Sequence, residues 1–145
     1  MTIYSQRAKY RPIVCIDSSG SFMKQLVCEG NKSGYICLHQ AIAYVPNNKN
    51  IKTIPVTQMV SARQDVNKMQ SWLKESFKNS PIPPEVVIDG SAALSNAVSL
   101  AFNGKPYKMY LQDCFQHLIN QSVINLRTYI RLDRANLIKA VTRWK

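Results

Sequence analysis

No apolar run in this chain approaches the ~20 residues that a membrane-spanning helix needs. Residues 1–11 are polar and basic and lack the apolar centre of a secretory signal. The four cysteines, Cys15, Cys28, Cys37 and Cys114, are too few and too scattered for a disulfide scaffold or a zinc ribbon. They are expected to be reduced, mostly buried thiols of an intracellular protein. There is no internal repeat and no low-complexity tract. Acidic residues are scarce: 8 Asp and Glu face 19 Lys and Arg, a net charge of +11, and none of the acids follows Asp133. Such an imbalance favours a polyanionic partner and disfavours an interaction protein unrelated to nucleic acid.

What is present fits one globular unit. A hydrophobic content of 46% over 145 residues is enough to build a core and argues against disorder. Residues 1–11 are expected to form an arm. Strand-like runs then cover residues 13–17, 22–28, 35–45 and 51–60, separated by turn-forming clusters at 18–21, 29–34 and 46–50. Pro55 assigns the last of these runs to a sheet edge or a bulge. The period changes after Asp65. Val66, Met69, Trp72, Leu73 and Phe77 form one helical stripe, and Asp65 suits the positive end of the helix dipole. A strand follows at 84–89, then a helix at 92–102 with Ser91 as N-cap. Residues 109–119 are helical by spacing, 128–133 alternate as a short strand, and 135–144 are helical again. Antiparallel strands followed by strand–helix units predict an α/β protein with a mixed sheet flanked by helices.

Two of the strand-like runs end in aspartate followed by small turn residues. One is Ile13-Val14-Cys15-Ile16-Asp17-Ser18-Ser19-Gly20. The other is Glu85-Val86-Val87-Ile88-Asp89-Gly90-Ser91. Continuous apolar runs of this kind predict strands buried on both faces. A lone carboxylate is costly to bury, so each aspartate is expected to sit at an open strand end. Right-handed crossover would make the two strands parallel, and neighbouring strands would bring the carboxylates together where α/β sheets place their sites. Two close carboxylates either repel each other or share a divalent cation. The chemistry to consider is metal-dependent phosphoryl transfer, or its relic.

The order of these segments resembles the ribonuclease H-like core of eukaryotic cut-and-paste transposases. Within the acidic-triad (DDE) superfamily it is nearest the Mutator-like group. The stretches that carry the resemblance are IVCIDSSG, GYICLHQAIAY with IPVTQMVSARQD, PPEVVIDGSAALSNAVSLAF and YIRLDRANLIKAVTRW. Together they cover most of residues 12–145, the expected transposase core. The resemblance implies metal-dependent DNA cleavage and strand transfer with Mg²⁺ or Mn²⁺, Asp17 and Asp89 as catalytic metal ligands, and a nuclear location. It also implies a junction of Cys or Asp, two residues, then His. Asp133 fits the junction because it follows a strand, although Asn136 replaces the His. Cys114 and His117 have the right letters but lie in a helical stretch. Asp133 is thus either a third site residue or a helix cap. The family's last catalytic acid, on a late helix, has no counterpart after Asp133. The chain is therefore expected to be a truncated or inactive copy, or a domesticated module that only binds nucleic acid or protein.

Other side chains have plainer expectations. Trp72 and Trp144 are core by their stripes, His39 is structural, Cys114 is core and His117 is a surface residue. Arg127, Arg131, Arg134, Lys139, Arg143 and Lys145 form the densest basic stretch and are the candidates for phosphate contact. The partner is expected to be DNA, bound mostly without regard to sequence. No membrane partner is expected, and self-association is left open.

Overall fold

The computed structural model describes residues 12–23, 27–28, 31–32, 36–44, 53–120, 126–135, 138 and 142. The arm at 1–11 therefore lies outside the described residues, as do Trp144 and much of the predicted last helix.

Strand β1 (Ile13–Met23) alternates. Val14 and Ile16 are buried on one face, while Cys15 and Asp17 are exposed on the other. It pairs antiparallel with β4 (Ile36–Tyr44), which pairs antiparallel with β5 (Thr53–Ser61). The short strands β2 (Val27–Cys28) and β3 (Asn31–Lys32) pair with each other. Helix α1 (Val66–Phe77) returns the chain to β6 (Glu85–Ile88), which lies parallel to β1. Helix α2 (Ala92–Val98) runs on through a π-helical turn at Ser99–Asn103, and Gly104 ends it in the left-handed conformation, φ 70°. Helix α3 (Tyr107–Asn120) leads to β7 (Tyr129–Leu132), parallel to β6. The sheet order is β5-β4-β1-β6-β7. Three antiparallel strands extended by two parallel ones, with helices in the crossovers, give a ribonuclease H-like α/β sheet.

The expected caps are made. The Asp65 carboxylate accepts from the Lys68 amide, and the Ser91 hydroxyl from the Leu94 amide. Met69, Leu73 and Phe77 of α1 and Leu94, Ala97 and Val98 of α2 cover Val14, Ile16, Ala41, Ala43, Val86 and Ile88. The Phe77 and Phe102 rings meet edge to face, 5.2 Å apart. Pro55 does lie on an edge strand, opposite a register shift between Ala41 and Ile42. Trp72 is half-buried, and its indole N–H donates to Thr57 Oγ1 at 3.0 Å.

Several expectations need correction. The polar cluster at 18–21 does not turn the chain. β1 continues to Met23, because β4 supplies partners for Ser18 and Ser19 before the register shifts. The strand expected at 22–28 is therefore partly the end of β1 and partly β2. Neither β1 nor β6 is buried on both faces. Val87 is only half-buried and Cys15 is exposed, since α1 and α2 cover one side of the sheet. Of the thiols, Cys37 is buried and Cys114 half-buried, and nothing is described of the Cys28 side chain. Helix α3 forms as expected but buries only Tyr110, leaving Leu111, Phe115, Leu118 and Ile119 exposed. Among the described residues no helix is long and apolar enough to cross a membrane.

Candidate metal and nucleic-acid site

The parallel registers fix where the aspartates fall. Ile16 is opposite Ile88, and Ile88 is opposite Leu132. Asp17, Asp89 and Asp133 are the next residues on the three strands, at steps of about 4.8 Å. The Asp133 amide donates to the Ile88 carbonyl at 2.7 Å, which holds the third position against the second. All three line one cleft of about 280 Å³, whose other walls are Cys15, Ile16, Val87 and Ile88. The cleft opens at the carboxyl ends of the parallel strands, the usual place for a site in such a sheet.

Each carboxylate is oriented by a nearby backbone amide. Asp17 Oδ1 accepts from the Ser18 amide at 2.9 Å, Asp89 Oδ1 from the Ser91 amide at 2.9 Å, and Asp133 Oδ1 from the Ala135 amide at 3.3 Å. In each case Oδ1 serves the local fold, and among the described residues no hydrogen bond or ion pair engages Oδ2. Asp133 thus accepts from an amide just after β7 and also lines the cleft. Carboxylate oxygens are hard donors suited to Mg²⁺ or Mn²⁺. Among the described residues, however, no three His, Cys, Asp or Glu side chains converge into a group that could hold a metal ion. Asp17, Asp89 and Asp133 are thus the cleft residues that could hold such a cation, and they do not form a closed cage.

The thiol of Cys15 faces the same cleft. Burial pushes its pKa up, Asp133 adds to that rise, Arg131 opposes it and Glu85 adds further. Beside the cleft lies a second depression of about 670 Å³. It is lined by Val87, Ile130, Arg131, Leu132, Asp133 and Arg134, so the two hollows share Val87 and Asp133. Arg131 Nη2 stands 2.8 Å from Glu85 Oε1, an ion pair without hydrogen-bond alignment. Arg127, Arg131 and Arg134 are all exposed. Lys139, Arg143 and Lys145 lie outside the described residues. Cys114 and His117 sit on α3 and do not line the cleft, and His117 is exposed.

Three polar residues near the site were not singled out as functional. His39 is completely buried on β4, in register with Ser18. Its Nδ1 is 2.7 Å from Ser18 Oγ and its Nε2 is 2.9 Å from Ser61 Oγ. The signal available beforehand was phase: His39 occupies the core-facing alternation of Cys37, Ala41 and Ala43. A polar ring on that face needs buried partners.

No family model matches the chain. It is 36% identical over 142 residues, 97% of its length, to the 120.7 kDa protein in the NOF-FB transposable element of Drosophila melanogaster. The chain spans 13% of that protein. The similarity supports an origin in a transposable element.

Proposed function

We propose that the chain is the catalytic core region of a DDE-superfamily, Mutator-like transposase, built for metal-dependent cleavage and joining of DNA. The observation that carries this reading is the placement of Asp17 and Asp89 directly after paired residues of neighbouring parallel strands, in one cleft. Similarity to a transposable-element protein over nearly the whole chain supports it. In this reading Asp17 and Asp89 would hold Mg²⁺ or Mn²⁺, with Asp133 lining the same cleft. A divalent cation there would activate a water or 3′-hydroxyl and neutralise charge on the phosphoryl group. Arg131 and Arg134, across the shared wall, hold the backbone phosphates next to the scissile one, and Arg127 extends the contact. Lys139, Arg143 and Lys145 would add to it. DNA that is cut and joined in this way is expected in the nucleus.

Among the described residues no three His, Cys, Asp or Glu side chains form a group that could hold a metal ion, and that observation favours a second reading, a non-catalytic nucleic-acid-binding module descended from such an enzyme. Both readings predict DNA binding carried by phosphate contacts. The expected result is affinity for unrelated duplexes that falls steeply and linearly in log–log form with salt. Charge reversal, Arg131→Glu with Arg134→Glu, should flatten that slope and weaken all sequences about equally. Affinity that ignores salt, or loss confined to one sequence, would contradict the assignment of these arginines.

A further inference from the structure

We propose that His39 is a positioning residue for Asp17, acting through Ser18 from the opposite face of the sheet. The inference rests on the reading of Asp17 as a site carboxylate and adds to it the device that aims the side chain.

The hydrogen bonds have a definite direction. Ser61 Oγ donates to the Arg63 carbonyl at 2.7 Å, which uses its only proton. It must therefore accept from His39 Nε2, and the ring carries its proton there. Nδ1 is left as an acceptor, so the Ser18 hydroxyl donates to it. The relay runs from Ser18 through His39 and Ser61 to the Arg63 carbonyl. Trp72 of α1 lies beside the ring, tilted 48° with centroids 6.2 Å apart, and His39 is fully buried.

Its position in β1 gives the relay a purpose. Asp17 and Ser18 point to opposite faces, so the relay grips the strand from the helix-covered side while Asp17 faces the cleft. Ser18 and Ser19 are the last residues of β1 in regular register with β4 before the shift that ends at Met23. The backbone there has fewer ladder bonds to hold it than at Val14 or Ile16. The Ser18 amide is also the donor that orients Asp17 Oδ1. Fixing the Ser18 side chain fixes that amide, and through it the direction in which Asp17 Oδ2 points.

Two substitutions at one position separate this role from simple core packing. His39→Asn keeps an acceptor near Nδ1 and so can retain the bond to Ser18. His39→Gln places its amide near Nε2, retaining Ser61 and losing Ser18. Both leave a comparable packing defect. The first readout is the backbone amide of Ser18 in metal-free protein, followed by NMR shift and hydrogen exchange. It should stay close to wild type in His39→Asn and shift, with faster exchange, in His39→Gln. The second readout is Mn²⁺ affinity, expected to fall about tenfold in His39→Gln and in Ser18→Ala but little in His39→Asn. A Ser18 amide that responds identically in both His39 variants would overturn the positioning role, whatever the metal does. An unchanged Mn²⁺ affinity in His39→Gln and Ser18→Ala would also overturn it, provided Asp17→Asn abolishes binding. If instead Asp17→Asn leaves Mn²⁺ binding intact, the metal reading fails, while the amide comparison still decides whether His39 orients Ser18.

Discussion

His39 is a neutral ring in a place where a charge would be expensive. Burial holds its pKa below the ordinary 6.5, and the carboxylate of Asp89 only partly opposes that. The sign of the consequence follows from proton counting. Just below pH 6.5 the unfolded chain binds a proton at His39 and the native chain does not, so stability rises with pH in that interval. The contribution is complete above 6.5 and declines as pH falls toward the native pKa. Urea midpoints at a series of pH values from 5 to 7.5 should show this slope in the wild type and a flatter one in His39→Asn. Equal slopes in the two proteins would mean that the ring charges freely in the fold. Cys15 shows how local environment can mislead a sequence reading. An apolar run suggested a buried thiol, yet Cys15 stands on the uncovered face, and its pKa is raised first by desolvation in the cleft and then by Asp133, an acid 118 positions away in the chain. No periodicity within residues 13–17 carries that information.

Among the elements, β7 is the least supported strand of the site, since it lies at the sheet edge and most of its side chains are exposed. Its outer side is held by groups from the helices. The Tyr110 hydroxyl accepts from the Ile130 amide at 2.9 Å and faces the Ile130 carbonyl at 3.4 Å, doing the work of a missing strand. Burial pushes the Tyr110 pKa up to about 12, so the phenol stays protonated. Asn103 holds both the amide and the carbonyl of Thr128 at 3.0 Å. The Thr128 hydroxyl donates to the Pro83 carbonyl at 2.7 Å. Tyr110→Phe should therefore cost about 1–2 kcal/mol in chemical denaturation, the usual penalty for leaving a polar partner unsatisfied. It should also speed exchange at the Ile130 amide. A change below about 0.5 kcal/mol would show that β7 does not depend on this clamp. Helix α1, the Ser91 cap and the edge placement of β5 were legible because short-range chemistry decides them, and the parallel pairing of β1 with β6 because crossover handedness does. The full extent of β1 was not. Ser18, Ser19 and Gly20 have turn composition, and only their pairing partners on β4 keep them in a strand. Nor was the exposure of α3 legible: Leu111, Phe115 and Leu118 share a stripe whose spacing says helix but not what covers it.

At the scale of the whole molecule, the topology places acids and bases on one side of the sheet. Asp17 lies within β1 beside the end of β6, Asp89 and Asp133 directly follow β6 and β7, and Arg131 and Arg134 flank the last of them. This juxtaposition could be anticipated from the two strand-end motifs and the crossover rule. The directions of the carboxylate oxygens could not, because they depend on side-chain rotamers, and among the described residues no three such side chains form a metal-holding group. In-line phosphoryl transfer needs both attacking and leaving oxygens clamped, and two or three loosely grouped carboxylates give a poorly placed cation. Residues 1–145 are therefore expected to show little or no cleavage of labelled duplex DNA in Mn²⁺. Robust turnover abolished by Asp17→Ala would instead identify Asp133 as the completing ligand.

The most direct test of the account is Mn²⁺ binding followed by electron paramagnetic resonance of the free ion. The account predicts one weak site, roughly millimolar as for sparse hard-cation sites, lost in Asp17→Asn and in Asp89→Asn while both variants keep the wild-type fold by circular dichroism. Binding that survives both substitutions, or that is absent from the folded wild type at tens of millimolar Mn²⁺, would contradict the assignment of the Asp17–Asp89 cleft as a metal site.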